Sequence, residues 1–198
     1  VSDADTLAVY AARAEAYSAI HHGRVAQDRL AAFIARLPAG GTALDLGCGP
    51  GWAAAGMAAA GLCVTALDAC PEMAVAARAR YGIKVEVAGF ADLEAEAAFD
   101  GIWAHFSLLH APRAALPAHL AAIARALRPG GVFAVAMKQG DGEARDRLGR
   151  FYTYVTPKGF RAELERAGLT VEAEETEPGT GFDGSPFASL YLLARRAG

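Results

Sequence analysis

Ten residues have the types and spacing to cradle a ligand: Ala43-Leu44-Asp45-Leu46-Gly47-Cys48-Gly49-Pro50-Gly51-Trp52. An apolar run carrying one acid leads into glycines at alternate positions. Glycine spares the backbone a side chain where it must turn sharply and lets a bound molecule come close. A second acid, Asp68, ends the next apolar run, Val64-Thr65-Ala66-Leu67, roughly twenty residues after the turn. A carboxylate there can accept both hydroxyls of a ribose. It can equally cap the helix that Pro71 opens.

Turn and acid together suit a nucleoside cofactor, and two details choose among such cofactors. Dinucleotide sites carry G-x-G-x-x-G, so that the pyrophosphate rests on a helix N-terminus. Here Trp52 stands in the place of the third glycine. Asp45 would repel a pyrophosphate and would suit an ammonium or sulfonium. A cofactor with adenosine, no phosphate and two positive centres is S-adenosylmethionine, and the same residues argue against a nicotinamide-dependent reductase.

The elements that must position these residues follow from periodicity and punctuation. Residues up to about Leu37 read as helical, and Pro38-Ala39-Gly40-Gly41 stops them. Strands are predicted over Thr42–Leu46, Cys63–Asp68, Lys84–Ala88, Phe99–Phe106 and Val132–Lys138. Helices are predicted over Trp52–Ala60, Pro71–Tyr81, Ala114–Leu127 and Pro157–Ala167. Two last strands, Leu169–Thr176 and Ala188–Arg195, have no helix between them and must pair antiparallel. The pattern predicts an α/β fold: a seven-stranded, Rossmann-like, mostly parallel sheet, helices on both faces, and an antiparallel C-terminal strand pair.

With 198 residues, 54% of them hydrophobic and 21% charged, the chain has the composition of one globular domain. A net charge of -3 with scattered arginines lacks the basic patch of a nucleic-acid binder. Cys48, Cys63 and Cys70 cannot all pair and none lies in C-x-x-C spacing, so buried free thiols and no metal site are expected. The uncharged stretch Leu46 to Leu67 holds Pro50 and five glycines and breaks into strand, turn, helix and strand, not a membrane span. No signal segment is evident, and the reading is a cytoplasmic protein with neither a membrane nor a nucleic-acid partner.

The motif Asp45-Leu46-Gly47-Cys48-Gly49-Pro50-Gly51 resembles the cofactor loop of class I S-adenosylmethionine-dependent methyltransferases, and Asp68 resembles their ribose-binding acid. Phe99-Asp100-Gly101-Ile102-Trp103 and Leu127-Arg128-Pro129-Gly130-Gly131 extend the likeness from about residue 40 to the carboxyl end. The layout is most similar to small bacterial enzymes of the tellurite-resistance or ubiquinone/menaquinone type, which act on small molecules. The resemblance implies that Gly47, Cys48 and Gly49 meet the amino-acid part of the cofactor, with Asp45 close by. Asp68 would hold the ribose and Ala69 would pack on the adenine. After the third strand, Phe90 and Ala91 would face the ring, and Asp92 either makes the polar contact or is a surface loop residue. His105 would border the methyl-donor end of the pocket.

Methyl transfer needs a positioned nucleophile, and a base only where the acceptor starts protonated. Candidates near the strand ends are His105, His110, Lys138, Arg150, Tyr152 and Tyr154. His110 serves acid–base chemistry or anchors its loop. Arg150, with Tyr152 and Tyr154, recognises a carboxylate, lines an aromatic pocket, or belongs to a charged surface loop followed by packing aromatics. Residues 1–37, with Tyr10, Tyr17 and the His21-His22 pair, form a lid over residues 42–198 or an exposed helix. No N/D-P-P-Y/F tetrapeptide or Pro-Cys pair follows the fourth strand, which favours a small-molecule acceptor over nucleic acid or protein. The competing reading is an adenosyl-binding domain without turnover, acting as sensor or subunit.

Overall fold

The computed structural model describes residues 3–20 and 22–198. Helices α1 (Ala4–Ala12), α2 (Ala14–Ser18) and α3 (Arg24–Ile34) precede strand β1 (Thr42–Leu46). Alternation follows through α4 (Trp52–Ala59), β2 (Cys63–Asp68), α5 (Pro71–Tyr81), β3 (Glu86–Val87), β4 (Phe99–His105), α6 (Leu116–Ala126) and β5 (Leu127–Lys138). A short hairpin, β6 (Glu143–Arg145) and β7 (Phe151–Thr153), then leads to α7 (Pro157–Arg166), β8 (Leu169–Thr180) and β9 (Pro186–Arg196).

The main sheet has seven strands in the order β3-β2-β1-β4-β5-β9-β8. Strands β1 to β5 pair in parallel, and β9 runs antiparallel to both β5 and β8. Strands buried on both faces need near-continuous apolar sequence, and Leu44, Ile102, Phe133 and Val135 are essentially inaccessible. On one face Leu30 and Phe33 of α3 and Met57 of α4 meet Trp103, Ala134 and Leu193. On the other, Leu120 and Ile123 of α6 and Phe160 and Leu164 of α7 cover Ile102, Phe133 and Leu192. Among the described residues no helix is long and apolar enough to cross a membrane.

Several boundaries differ from the periodicity. The N-terminal helical stretch is three helices, interrupted at Arg13 and again after Ser18. The third strand keeps only Glu86–Val87, an edge pair beside β2. Residues 113–115 wind as a 3-10 turn before α6. The Pro-Gly-Gly stop after α6 is absorbed into β5, whose register against β4 shifts between Phe99 and Gly101. The terminal strands run longer because their turn is compact, with the Gly181 N–H on the Ser185 carbonyl at 2.8 Å. The hairpin β6–β7 has strands too short to show alternation. Cys48 and Cys70 are buried free thiols, whereas Cys63, at the exposed start of β2, corrects the expectation of burial.

Candidate cofactor and active site

Strand β1 lies between β2 and β4, so the chain departs to opposite sides of it. Open sheets bind ligands beyond the strand ends at such a switch point. The glycine turn occupies that place. The Gly47 and Cys48 N–H groups both donate to the Leu67 carbonyl, at 2.8 and 2.9 Å, which ties the turn to β2. Gly47 has φ +74°, and a Cβ there would stand 2.3 Å from the Ser107 Cβ. Ser107 is fixed by donating to the Leu46 carbonyl at 2.6 Å. Nothing lies within 4 Å of a Cβ built on Gly49, so the tip of the turn opens onto free space.

Asp68 closes the same turn. Its carboxylate accepts the Gly49 N–H at 2.7 Å and the Cys70 N–H at 2.9 Å. Burial pushes its pKa up, and these two amides oppose the shift. A carboxylate has about four lone-pair sites, so bracing the turn leaves capacity for a diol. Asp45 is 3% exposed and accepts the Ala54 N–H at 2.9 Å. Ala54 lies in the first turn of α4, whose N-cap Gly51 has no side chain to offer. Burial raises the Asp45 pKa to about 7. Its second oxygen has no side-chain cation among the described residues.

Phe90, half-buried, stands 3.5 Å from the Cβ position of Gly47, so its ring borders the turn. Ala91 beside it is exposed, and Ala69 is half-buried between Asp68 and Cys70. Asp92 turns back to accept the Gly89 N–H at 2.7 Å, the surface-loop alternative. The Cys48 thiol contacts the Gly49 carbonyl, and burial pushes its pKa up.

The two candidate histidines lie in different surroundings. His105 stacks on Trp103 at 5.1 Å and meets Trp52 and Phe106 edge-on, on the face covered by α3 and α4. Its Nε2 is buried without a hydrogen-bond partner, and desolvation lowers its pKa to about 3. His110 has both nitrogens engaged, Nδ1 on the Phe151 carbonyl and Nε2 on the Tyr10 hydroxyl, each at 2.6 Å. A carbonyl only accepts, so Nδ1 carries the proton and Nε2 receives the Tyr10 O–H. Burial holds the ring neutral, with its pKa near 4. Tyr152 is buried, and desolvation pushes its phenol pKa up. His22 stacks on Trp52 at 4.0 Å, and His21 lies outside the described residues. Among the described residues no cluster suits a metal ion.

Arg150 is 2% exposed and grips the Asp146 carboxylate through Nε at 2.9 Å and Nη2 at 2.5 Å. It also donates to the Tyr17 hydroxyl and is ringed by Tyr10, Tyr17, Tyr152 and Phe182. The carboxylate expected of an acceptor is therefore the chain's own Asp146. Tyr154 stacks loosely on Tyr152 at 6.1 Å. The N-terminal helices are tied down here: the Phe151 N–H donates to Thr6 Oγ1 at 2.8 Å and Arg145 pairs with Asp3 at 2.8 Å. Tyr17 packs on Phe182 at 4.2 Å. Asp146 was legible as an i, i+4 partner of Arg150; Phe182 carried no sequence signal.

A family profile described as a methyltransferase domain matches residues 43–131. The ubiquinone biosynthesis O-methyltransferase of Xanthomonas axonopodis pv. citri (strain 306) is 34% identical over 167 residues, covering 73% of this chain and 69% of its own length. The chain belongs to the class I S-adenosylmethionine-dependent methyltransferases. The 1,6-didemethyltoxoflavin-N1-methyltransferase of Burkholderia thailandensis, solved with 1,6-didemethyltoxoflavin and S-adenosylhomocysteine, superposes on this methyltransferase with TM-score 0.72. The two are 27% identical, over 99% of this chain and 92% of that one. A Methanosarcina mazei S-adenosylmethionine-dependent methyltransferase shares the fold, with TM-score 0.74 at 15% identity over 90% and 99% of the two chains.

The methyltransferase uses S-adenosylmethionine, and the residues at the switch point fit it. Gly49 opens onto space, Asp68 keeps free lone pairs, and Asp45 keeps an oxygen that no cation among the described residues answers.

Proposed function

We propose that this methyltransferase acts on a small-molecule acceptor, held between the strand ends and an N-terminal lid. The observation that carries the reading is the tether from Tyr10 to His110, with Thr6 and Asp3 fastened to the β6–β7 hairpin. Those contacts fasten α1 to the loop after β4 and to the β6–β7 hairpin, beside the strand ends, which supports residues 1–37 acting as a lid over the core of residues 42–198. One relative is named for ubiquinone biosynthesis and a solved neighbour holds 1,6-didemethyltoxoflavin, which supports a small-molecule acceptor here.

In this reading the cofactor supplies an electrophilic methyl group on a sulfonium. Asp68 accepts the ribose hydroxyls, and the backbone of Gly47, Cys48 and Gly49 receives the amino-acid end with Asp45 beside it. Ala69, Phe90 and Ala91 flank the adenine, and Tyr17 closes from the lid. Holding nucleophile and methyl carbon in line supplies most of the catalysis, while the closed lid excludes water. His110 and Tyr152 position the lid and hairpin.

Calorimetry with S-adenosylmethionine, followed by detection of S-adenosylhomocysteine release over a panel of small phenols, enols, amines and carboxylates, tests the proposal. Turnover of a panel member supports it. Cofactor binding without turnover of any member supports the non-catalytic alternative, and turnover of RNA, DNA or protein alone overturns it.

A further inference from the structure

Lys138 ends β5 at the ligand-binding edge of the sheet and is only 7% exposed. Its ammonium lies 4.0 Å from the ring centre of Tyr152 and 4.6 Å from that of Phe187. Aromatic faces stabilise a cation, but a buried charge ordinarily requires an opposite charge as well. Among the described residues no carboxylate stands within ion-pair distance of it. The acids that face it from neighbouring loops, Asp146 and Asp183, favour its charge only from beyond ion-pair distance. Asp146 is gripped by Arg150, and Asp183 accepts the Ser185 N–H at 3.1 Å and hydroxyl at 2.7 Å. Of the other ionisable groups nearby, Arg150 is paired with Asp146, and His110, Tyr10 and Tyr152 are neutral.

A second observation lies beside it. Phe106, directly after β4, has φ +56°, a left-handed conformation that is strained for a bulky side chain. It is held there by its N–H on the Ala136 carbonyl at 3.0 Å, and its ring meets Phe187 edge-on at 5.6 Å. Strain of this kind persists only where the surroundings enforce it, and it gathers at ligand sites. Phe106, Phe187 and Tyr152 thus gather around an ammonium that no carboxylate meets at ion-pair distance among the described residues.

We infer that Lys138 selects the acceptor: a planar, acidic ring compound (a phenol, an enol or a ring N–H flanked by carbonyls) that binds as its anion, with the charge on the Lys138 ammonium. The inference rests on the small-molecule reading above and names its substrate class. It also accounts for methyl transfer where His110 is spent on structural bonds and burial keeps His105 neutral. The acceptor loses its proton to solvent on binding. Its oxygen or nitrogen lone pair then forms the bond to the methyl carbon while the carbon–sulfur bond breaks. The bonding pair stays on sulfur, giving the methylated ring and S-adenosylhomocysteine.

The test needs no turnover. The full chain, saturated with S-adenosylhomocysteine, is titrated with 4-nitrophenol, whose visible spectrum reports its ionisation directly. The expected result is a bound phenol that ionises about one pH unit below its value in water, a tenfold gain in the anion. Lys138→Met and Lys138→Gln lose the shift, while Lys138→Arg keeps it. A neutral bound phenol, no binding of 4-nitrophenol, or the same shift in the Met and Gln variants overturns the assignment. Turnover of aliphatic amines but of no acidic ring removes Lys138 and leaves the small-molecule reading standing. Failure of S-adenosylhomocysteine itself to bind removes both.

Discussion

The Tyr10 hydroxyl and His110 Nε2 lie 2.6 Å apart although a hundred residues separate them in the chain. The bond joins α1 to the loop after β4, and His110 passes the constraint on through Nδ1 to Phe151 of β7. A histidine with both nitrogens spent is a fastener, and what it fastens is α1 to the β6–β7 hairpin; in the proposed reading that is the cover of the active site.

Tyr10→Phe should therefore loosen the cover without harming the sheet. Removing the donor leaves a buried acceptor unmet, at about 1–3 kcal/mol. Limited proteolysis should cut first within residues 3–20, and the acceptor KM should rise more than kcat falls. Unchanged protection of that segment would separate Tyr10 from the lid.

His110 also predicts a pH dependence. Its folded pKa, near 4, lies below the ordinary 6.5, so the unfolded chain binds more protons between those values. Stability should fall as pH drops from about 6.5 towards 4 and be regained above that window. His105, lowered to about 3, acts in the same direction. Thermal melts of His110→Gln across this range should show a shallower acid limb than the parent protein.

Gly47 and Gly49 should respond differently to the same substitution. At Gly47 a methyl group would meet the Ser107 Cβ at 2.3 Å on a backbone with φ +74°, so Gly47→Ala should cost folding stability outright. At Gly49 the methyl enters open space with φ +52°. Gly49→Ala should lose about 1 kcal/mol of stability and a larger share of S-adenosylmethionine affinity. Melting temperature and calorimetry, read together, check the contrast.

Asp68→Asn keeps an oxygen that can accept one of the two amide bonds now made to Gly49 and Cys70. It removes the charge that would hold the ribose, so each hydroxyl bond should weaken by roughly 1.5–3 kcal/mol. The expected outcome is a cofactor Kd raised at least tenfold, with a melt between those of the parent protein and Asp68→Ala. Asp68→Ala also cuts both amide bonds and should melt lower. Native affinity in Asp68→Asn would refute the ribose role.

Asp45 runs the opposite way in pH to His110. Its folded pKa, near 7, lies above the ordinary 3.8, so the native state holds the extra proton between them. Its contribution to stability should decline as pH rises from about 4 to 7. Asp45→Asn keeps an acceptor for Ala54 and removes the buried charge. At pH 8 the variant without cofactor should melt higher, by roughly 2–4 °C per kcal/mol recovered, while binding S-adenosylmethionine more weakly.

Much of the molecule is decided by short-range pattern. Apolar runs broken by glycine and proline set the order of strands and helices, and β1, β2 and α5 lie within the predicted bounds. Gly47 and Asp68 announce a nucleoside site because strict backbone geometry admits few residue types. The two terminal strands lacked an intervening helix, which left an antiparallel pairing as the solution, and β8 with β9 is that pairing. These features rest on residues near one another in sequence, so the sequence by itself determined them.

What a polar side chain touches is another matter. His105, one residue before the strained Phe106, lies on the Trp103 face, and nothing in its neighbours says which face is dry. Arg150 looked free for a ligand until the fold brought Tyr10, Tyr17 and Phe182 around its pair with Asp146. His110 found Tyr10 across a hundred residues, and Lys138 found ring faces in place of a carboxylate. Charge and hydrogen-bond capacity belong to the residue, but whether they are spent or free depends on long-range neighbours. Only the tertiary structure decided that.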